Sequence, residues 1–325
     1  MIRLQHQARR LSDEMDIQRR KINSQRFLAE RAVISPGGLV LMLDRFLGAN
    51  IDLDMFAERG CTSVEVRIRH PAFENIDRTP LLVRIRPEDS DLIGLALGAS
   101  LQEQADPQQE AIAGLTVAGW MEVDASLHVL ARHLAFVMMQ RVNAAHQVRV
   151  IRLSDRRILE FLWNILSLAQ QASLLGPISA WHVIDRCGAV RSLCCPAADR
   201  RNKTVRQGLG LNPAQWIQLE QCQQVQEMAR GWMSMVEALP PDYFNQLRAA
   251  LGAAKGLGLT ANQDIQLLAA YILQVHPLLA SHARVIGLVK RSIIEKSPLV
   301  DVLAEIPDPE GWKQLKNELG SAKSW

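Results

Sequence analysis

No stretch of this chain is apolar for long. The runs around Leu92–Ala99 and Ala111–Met121 are the longest, well short of the roughly 18 residues a membrane helix needs. Charge of one sign is also scarce. The 37 basic and 34 acidic residues leave a formal net charge of +3, too small to argue for nucleic-acid binding. Within Met1–Glu30 seven basic residues face four acidic ones, so the excess sits on that leading segment. The five cysteines (Cys61, Cys187, Cys194, Cys195, Cys222) are odd in number and lack framework spacing. They read as reduced thiols in a cytoplasmic protein. The charged N-terminus has no apolar h-region, so no secretory signal is expected.

Chemical signatures are missing as well. There is no G-x-S-x-G elbow, no kinase set and no H-E-x-x-H spacing. Gly208-Leu209-Gly210 precedes a helical stretch without the lysine and hydroxyl of a phosphate loop. His128 and His133 lie five residues apart, about 140° around a helix. His182, Cys187, Cys194 and Cys195 match no zinc spacing. No catalytic residue, cofactor or metal is expected.

What is present is an ordinary globular composition, 48% hydrophobic and 22% charged over 325 residues, enough for two domains. Residues 1–31 read as a basic amphipathic leading helix, since Gln5–Glu30 contains neither proline nor glycine. Residues 32–195 read as an α/β domain. Gly38–Leu43, Val64–Ile68, Pro80–Ile85 and Val148–Leu153 are its strand candidates. Asp89–Leu101 and Asp124–Asn143 are helical candidates between them. Strands separated by helices imply crossovers, and so a mixed, mostly parallel sheet with flanking helices. Val183–Leu193 adds one or two short strands. Residues 196–325 read as a helical lobe entered by a polar, basic linker, Pro196–Gly210. Asn212-Pro213 caps a helix predicted to run to Leu239, and another starts near Asp242. Thr260-Ala261-Asn262-Gln263 has capping-box spacing before a helix burying Ile265, Leu268 and Ile272. Ser281–Glu295 and Pro309–Leu319 complete the lobe.

Val148–Trp181 is the most informative stretch. It reads as a strand, then Arg152-Leu153-Ser154-Asp155, a long helical run, and a stop at Leu175-Gly176-Pro177-Ile178. Asp155 or Ser154 is placed to cap the helix starting at Arg156, and Arg152 to pair with a nearby carboxylate. A strand-end carboxylate in an α/β sheet is also where active sites form. Asp44 and Asp155 are therefore the residues of an alternative enzyme reading. Trp120, between an apolar run and a helix, reads as a core aromatic, with an exposed recognition indole as the other option.

Taken in order, these pieces resemble the type VI secretion effector-adaptor family (Tap or Tec adaptor chaperones). The matching segments are Leu41-Met42-Leu43-Asp44, Thr79-Pro80-Leu81-Leu82-Val83, Gly119-Trp120 and Arg132-His133-Leu134. They continue with Val150–Leu159, Leu175-Gly176-Pro177-Ile178, Trp181, Leu211–Gln215 and Gly256–Thr260. The chain departs from the family pattern at Leu153-Ser154, where aromatic residues are usual, and at Arg156, where proline is usual. The resemblance implies a non-catalytic adaptor that binds a secreted effector and loads it onto the VgrG spike in the cytoplasm. It also marks Trp120, Arg152, Asp155, Gly176, Pro177 and Trp181 as structural or binding positions. No membrane partner is expected. A third option, weak nucleic-acid binding, would use the basic leading helix and Arg200–Arg206.

Overall fold

The run Leu39–Leu43 forms β1 and is buried at every position. A strand covered on both faces reads as a continuous apolar run rather than an alternation, and β1 is covered on both. This is seen in a computed structural model that describes residues 19, 21–47, 51–142, 147–196, 208–236, 239–240 and 242–320. The other strands are β2 (Ser63–Glu65), β3 (Leu81–Ile85), β4 (Val117–Val123), β5 (Met139–Val142), β6 (Gln147–Val150), β7 (Ile178–Ile184) and β8 (Val190–Leu193). Six of them form one sheet in the order β2-β3-β1-β4-β7-β8, and β5-β6 pair as a separate hairpin.

Every pairing in the sheet is antiparallel, which corrects the expected mostly parallel sheet. The crossovers exist, but they skip a strand. β3 and β4 each run antiparallel to β1, so they point the same way, and the helical segment joining them spans over β1. The same holds for β1 and β2 around β3. A helix between two strands fixes their relative direction without making them neighbours. The expected fourth strand, Val148–Leu153, is also displaced. Only its first residues, through Val150, are strand, in β6 of the hairpin, while β4 and β7 occupy the sheet. β4 is buried along its whole length, and periodicity cannot separate such a short apolar run from a buried helix.

Helices cover both faces. α1 (21–34) places Ser24, Leu28 and Ala32 against the sheet at a four-residue repeat. α2 (Asp54–Glu58) and α3 (Ser90–Ala105) lie in the same layer, which joins Leu28, Phe56, Ile93 and Leu97 to Leu41, Val83 and Trp120. α4 (Pro107–Ala113) follows, capped by Asp106. On the opposite face α5 (Leu127–Met138), α6 (Arg156–Ile165) and α7 (Leu168–Leu175) pack Leu134, Leu159, Leu162 and Leu175 on Met42, Met121 and Trp181. Each such large apolar side chain, fully buried, contributes about 1.5–3 kcal/mol. α5 ends before the expected Asn143, and the chain passes directly into β5.

α8 (Pro213–Glu220) opens with the cap its sequence predicts. Gln215 N–H donates to Asn212 Oδ1 at 2.8 Å, and Asn212 N–H to Gln215 Oε1 at 3.0 Å. The predicted single helix to Leu239 is interrupted at Gln221. The chain divides into two units, Met1–Leu219 and Glu220–Trp325. The described part of the second unit contains α9 (Cys222–Met233), α10 (Tyr243–Gly256), α11 (Asn262–Gln274), α12 (Ala283–Glu295), α13 (Leu299–Leu303) and α14 (Glu310–Leu319). α11 buries Ile265, Leu268 and Ile272. Its N-cap is Ala261, so the capping box read at Thr260 does not form. Tyr271 of α11 stacks on Trp312 of α14 at 4.2 Å.

Candidate functional site

Three polar constellations stand out in the first unit, and the conspicuous Arg152–Asp155 turn belongs to the most deeply buried. Asp155 is the N-cap of α6 and accepts from Arg157 N–H at 3.1 Å. The Arg157 guanidinium folds back onto the same carboxylate with two bonds of 2.8 and 2.7 Å. Arg152 donates instead to Asp44 Oδ2 at 2.7 Å, lies over the Phe46 ring at 4.4 Å, and stands 4.0 Å from Asp155. The two strand-end aspartates are thus spanned by one arginine.

The web continues into residues that no local motif announces. Glu110 of α4, only 1% exposed, takes two bonds from Arg186 (2.6 and 2.9 Å) and one from Arg157 at 3.2 Å. Arg156 enters α3, donating to Ser100 Oγ, to the Ser100 carbonyl at 2.8 Å and to Gln104 Oε1 at 3.2 Å. Burial pulls the Arg156 guanidinium down to about 10, with Glu103 working in the opposite direction. Burial raises the Asp155 carboxyl, but the hydrogen bond and charge of Arg157 outweigh it and hold the group below its ordinary value. A general base needs an available oxygen and an affinity for protons near neutral pH. Here the carboxylate oxygens are occupied by guanidinium groups, and the arrangement clamps β1, α4, α6 and the β7–β8 turn.

Motif segments far apart in the chain meet in this unit. Next to Asp44, Arg45 donates to the Thr79 carbonyl at 2.8 Å and to Thr79 Oγ1 at 3.2 Å. His133 Nε2 lies 2.9 Å from the Leu174 carbonyl, and Gly176 passes directly beneath its ring. At φ +53° a Cβ on Gly176 would stand 2.2 Å from His133 Cε1, so only glycine fits. Gly119 meets β7 in the same manner: a Cβ there would stand 2.4 Å from the His182 carbonyl and 2.9 Å from Trp181 Nε1. Trp120 and Trp181 are both fully buried, which gives each indole a packing role. Pro177 leads into β7.

The second constellation has no counterpart among the sequence motifs. Glu122 of β4 receives two bonds of 2.6 Å from Arg31 of α1 and lies 2.8 Å from His182 Nε2. His182 Nδ1 lies 2.8 Å from Ser192 Oγ on the neighbouring strand β8, and Phe27 packs edge-on to the imidazole. Burial lowers the His182 imidazole, although Glu122 pulls the other way. Burial also opposes ionisation of Glu122, but the bonds from Arg31 and His182 outweigh it and keep the carboxyl low. The neutral ring then donates from Nε2 to Glu122 and accepts the Ser192 hydroxyl at Nδ1. The order Ser192, His182, Glu122 is that of a nucleophile, base and orienting acid.

The third is a groove of about 770 Å3 between edge strand β2 and α5. Val64, Ala135, Phe136 and Met139 form its apolar floor, with Glu65, Arg67, Arg69, His128 and Arg132 around them. Strand β2 is legible as an alternation and α5 as a helix. That His128, Arg132 and Phe136 of α5, with Met139 after them, line one groove with β2 and the Arg67 and Arg69 that follow it is tertiary information. A smaller concavity in the second unit is lined by Met228, Trp232, Met235 and Leu273.

Among the described residues no group of His, Cys, Asp and Glu is placed to hold a metal ion. No helix there is long and apolar enough to cross a membrane. Arg200–Arg206 and the first eighteen positions of the expected leading helix lie outside the described residues. Comparison with protein-family models, with curated proteins and with solved structures finds no match.

Proposed function

We propose that this protein is a non-catalytic adaptor of the type VI secretion effector-adaptor kind, which binds an effector in the cytoplasm and loads it onto the VgrG spike. The observation that carries this reading is the convergence of the motif segments. Asp44 reaches Arg152, the residue after Asp44 reaches Thr79, Gly119 makes room for Trp181, and His133 sits on Leu174 and Gly176. Segments that behave as one interlocking set are what a shared domain signature requires. The departures at Leu153-Ser154 and Arg156 are absorbed locally, with Leu153 in the core and Arg156 bonded into α3. Asp44 and Asp155, the residues an enzyme reading would use, are taken up by arginines. An open groove with an apolar floor and polar rim suits capture of a polypeptide.

The test is co-expression with the product of the adjacent gene and with a VgrG protein, followed by size-exclusion chromatography. A stable complex with that product, transferred to the spike, is the expected result. A protein that elutes alone in the presence of both sinks the reading.

One observation favours a second reading, hydrolysis, namely the Ser192–His182–Glu122 line. The adaptor reading is preferred because the bidentate Arg31 holds Glu122 and because the two concavities described above lie elsewhere. Ester hydrolysis abolished by Ser192→Ala would reverse that preference.

A further inference from the structure

The groove beside β2 has a feature that neither the apolar floor nor the charge explains alone. β2 is the edge of the sheet, and its ladder to β3 uses only alternate residues. Thr62 O accepts from Arg84 N–H at 2.9 Å, and Val66 N–H donates to Pro80 O at 2.8 Å, with Val64 opposite Leu82 between them. In an antiparallel pair the intervening residues turn their main-chain groups outward. The N–H and C=O of Ser63, Glu65 and Arg67 therefore face away from β3, and no hydrogen-bond partner meets them among the described residues.

The side chains around this row are unbalanced. Arg67, Arg69 and Arg132 line the groove against a single carboxylate, Glu65, and none of the three has an ion-pair partner among the described residues. Elsewhere in the unit Arg152, Arg157 and Arg186 of the α6 junction are matched to carboxylates at 2.6–3.2 Å. Below the cations lie Val64, Ala135, Met139 and the ring of Phe136, which is 37% exposed. A long, bare, apolar edge invites aggregation, and short length with flanking charge is the usual protection. That protective role accounts for Arg67 and Arg69 just after β2, but not for Arg132 and His128 on the facing helix.

We infer that the groove receives an extended, acidic segment of a partner polypeptide, which adds as a strand to β2 and places its carboxylates on Arg67, Arg69 and Arg132. Main-chain bonds to Ser63, Glu65 and Arg67 supply affinity, alternate apolar side chains settle against Phe136 and Met139, and the charges set selectivity. The proposal rests on the adaptor reading for the identity of the partner, and on the groove alone for its chemistry.

The experiment uses the full chain and a short fluorescein-labelled peptide of alternating glutamate and valine, with the lysine–valine peptide as control. Binding of the acidic peptide, weakened about tenfold or more in R67E/R132E, is expected. Hydrogen exchange should slow at the amides of Ser63, Glu65 and Arg67 when the peptide binds. Glu65→Pro removes one outward N–H while making the groove more basic, so weaker binding by this variant reports strand addition rather than charge. Equal binding of both peptides, unchanged affinity in R67E/R132E, or no slowing of those amides overturns the proposal. Tighter binding of single-stranded RNA than of the acidic peptide overturns it in favour of a nucleic acid. Dimerisation of the free chain that Glu65→Pro abolishes overturns it in favour of a second copy. If R67E/R132E still holds the adjacent-gene product as wild type does, the groove proposal fails and the adaptor reading stands. If the acidic peptide binds and that product does not, the reverse holds.

Discussion

The arginines of the α6 junction and those of the β2–α5 groove are the same residue in opposite settings. At the junction, Arg156 and Arg186 are buried, and Arg157 nearly so; Glu110 and Asp155 accept from Arg157 and Arg186 in fork geometry, and Arg156 bonds Ser100 and Gln104. Burying an ion costs several kcal/mol, offset only when its hydrogen bonds are complete. The Glu110 and Asp155 carboxylates, taken up in this way, have nothing left for a ligand. In the groove the cost of exposure is small, the guanidinium groups face solvent, and none of Arg67, Arg69 and Arg132 has an ion pair among the described residues. A cluster of charge is thus a clamp or a receptor according to whether the chain supplies its own counter-ions.

The largest effect is expected where that internal matching is broken. Glu110→Ala removes the carboxylate that takes both Arg186 bonds and one of the three carboxylate bonds of Arg157, in a buried site. Removing one partner of a buried pair costs about 3–5 kcal/mol, read as a lower urea midpoint for the first unit. Combining it with Arg186→Met should recover a substantial part, since no orphaned charge is then left. A single variant within about 0.5 kcal/mol of wild type would break the comparison, because the junction would then be no clamp.

Asp44→Ala should cost less. Arg152 is 21% exposed and keeps its contact with Phe46 and its proximity to Asp155. The variant loses the Arg152 bond, a charged hydrogen bond worth about 1.5–3 kcal/mol, together with the Phe46 N–H bond to Oδ1 at 2.9 Å. An effect as large as that of Glu110→Ala would show that burial does not rank these contacts.

Acid sharpens the same contrast. Burial lowers both His133 and His182 below the ordinary imidazole value of 6.5. A group that binds protons less readily when folded contributes stability fully above its unfolded pKa, and that contribution is lost as pH falls below it. Stability should therefore decline as pH drops below about 6.5. It should decline further through the carboxylate range, where Asp155 and Glu122 have depressed values of their own. A tenfold difference in proton affinity between the folded and unfolded chain corresponds to about 1.4 kcal/mol. Urea midpoints at pH 7.5 and 5.5 test this, and His133→Gln should flatten the slope between them. Identical midpoints for the wild type would remove the imidazoles from the account.

Much of this fold is legible in the sequence, for local reasons. Asp155 as a cap, Asn212-Pro213 as a helix start, and β1 and β3 as buried strands depend on a few neighbouring residues. What is not legible depends on distant ones. β4 is covered on both faces and lacks alternation, so this central strand carries no strand signal and the direction of the sheet cannot be read locally. Glu110 is one acidic residue in a short polar helix, and nothing near it indicates that Arg186 and Arg157 will arrive. His182 stands beside Cys187 in the sequence, yet its partners are Glu122 and Ser192 from other strands. The turn most conspicuous as a motif is structural, while the groove arises from a short alternation beside a plain helix.

The smallest stability effect should come from reversing the groove. Arg67 and Arg132 contribute no ion pair among the described residues, and surface changes away from such contacts fall within about 0.5 kcal/mol. R67E/R132E should therefore unfold at the wild-type urea midpoint while losing the acidic peptide. If the variant is instead destabilised as strongly as Asp44→Ala, the groove cations are needed by the fold, and the division between clamp and receptor disappears. The discriminating quantity is the ratio of binding loss to stability loss. It should be high for Arg67 and Arg132, because their charge is held in reserve. It should be low for Asp44 and Glu110, because whatever these variants do to binding must pass through the fold.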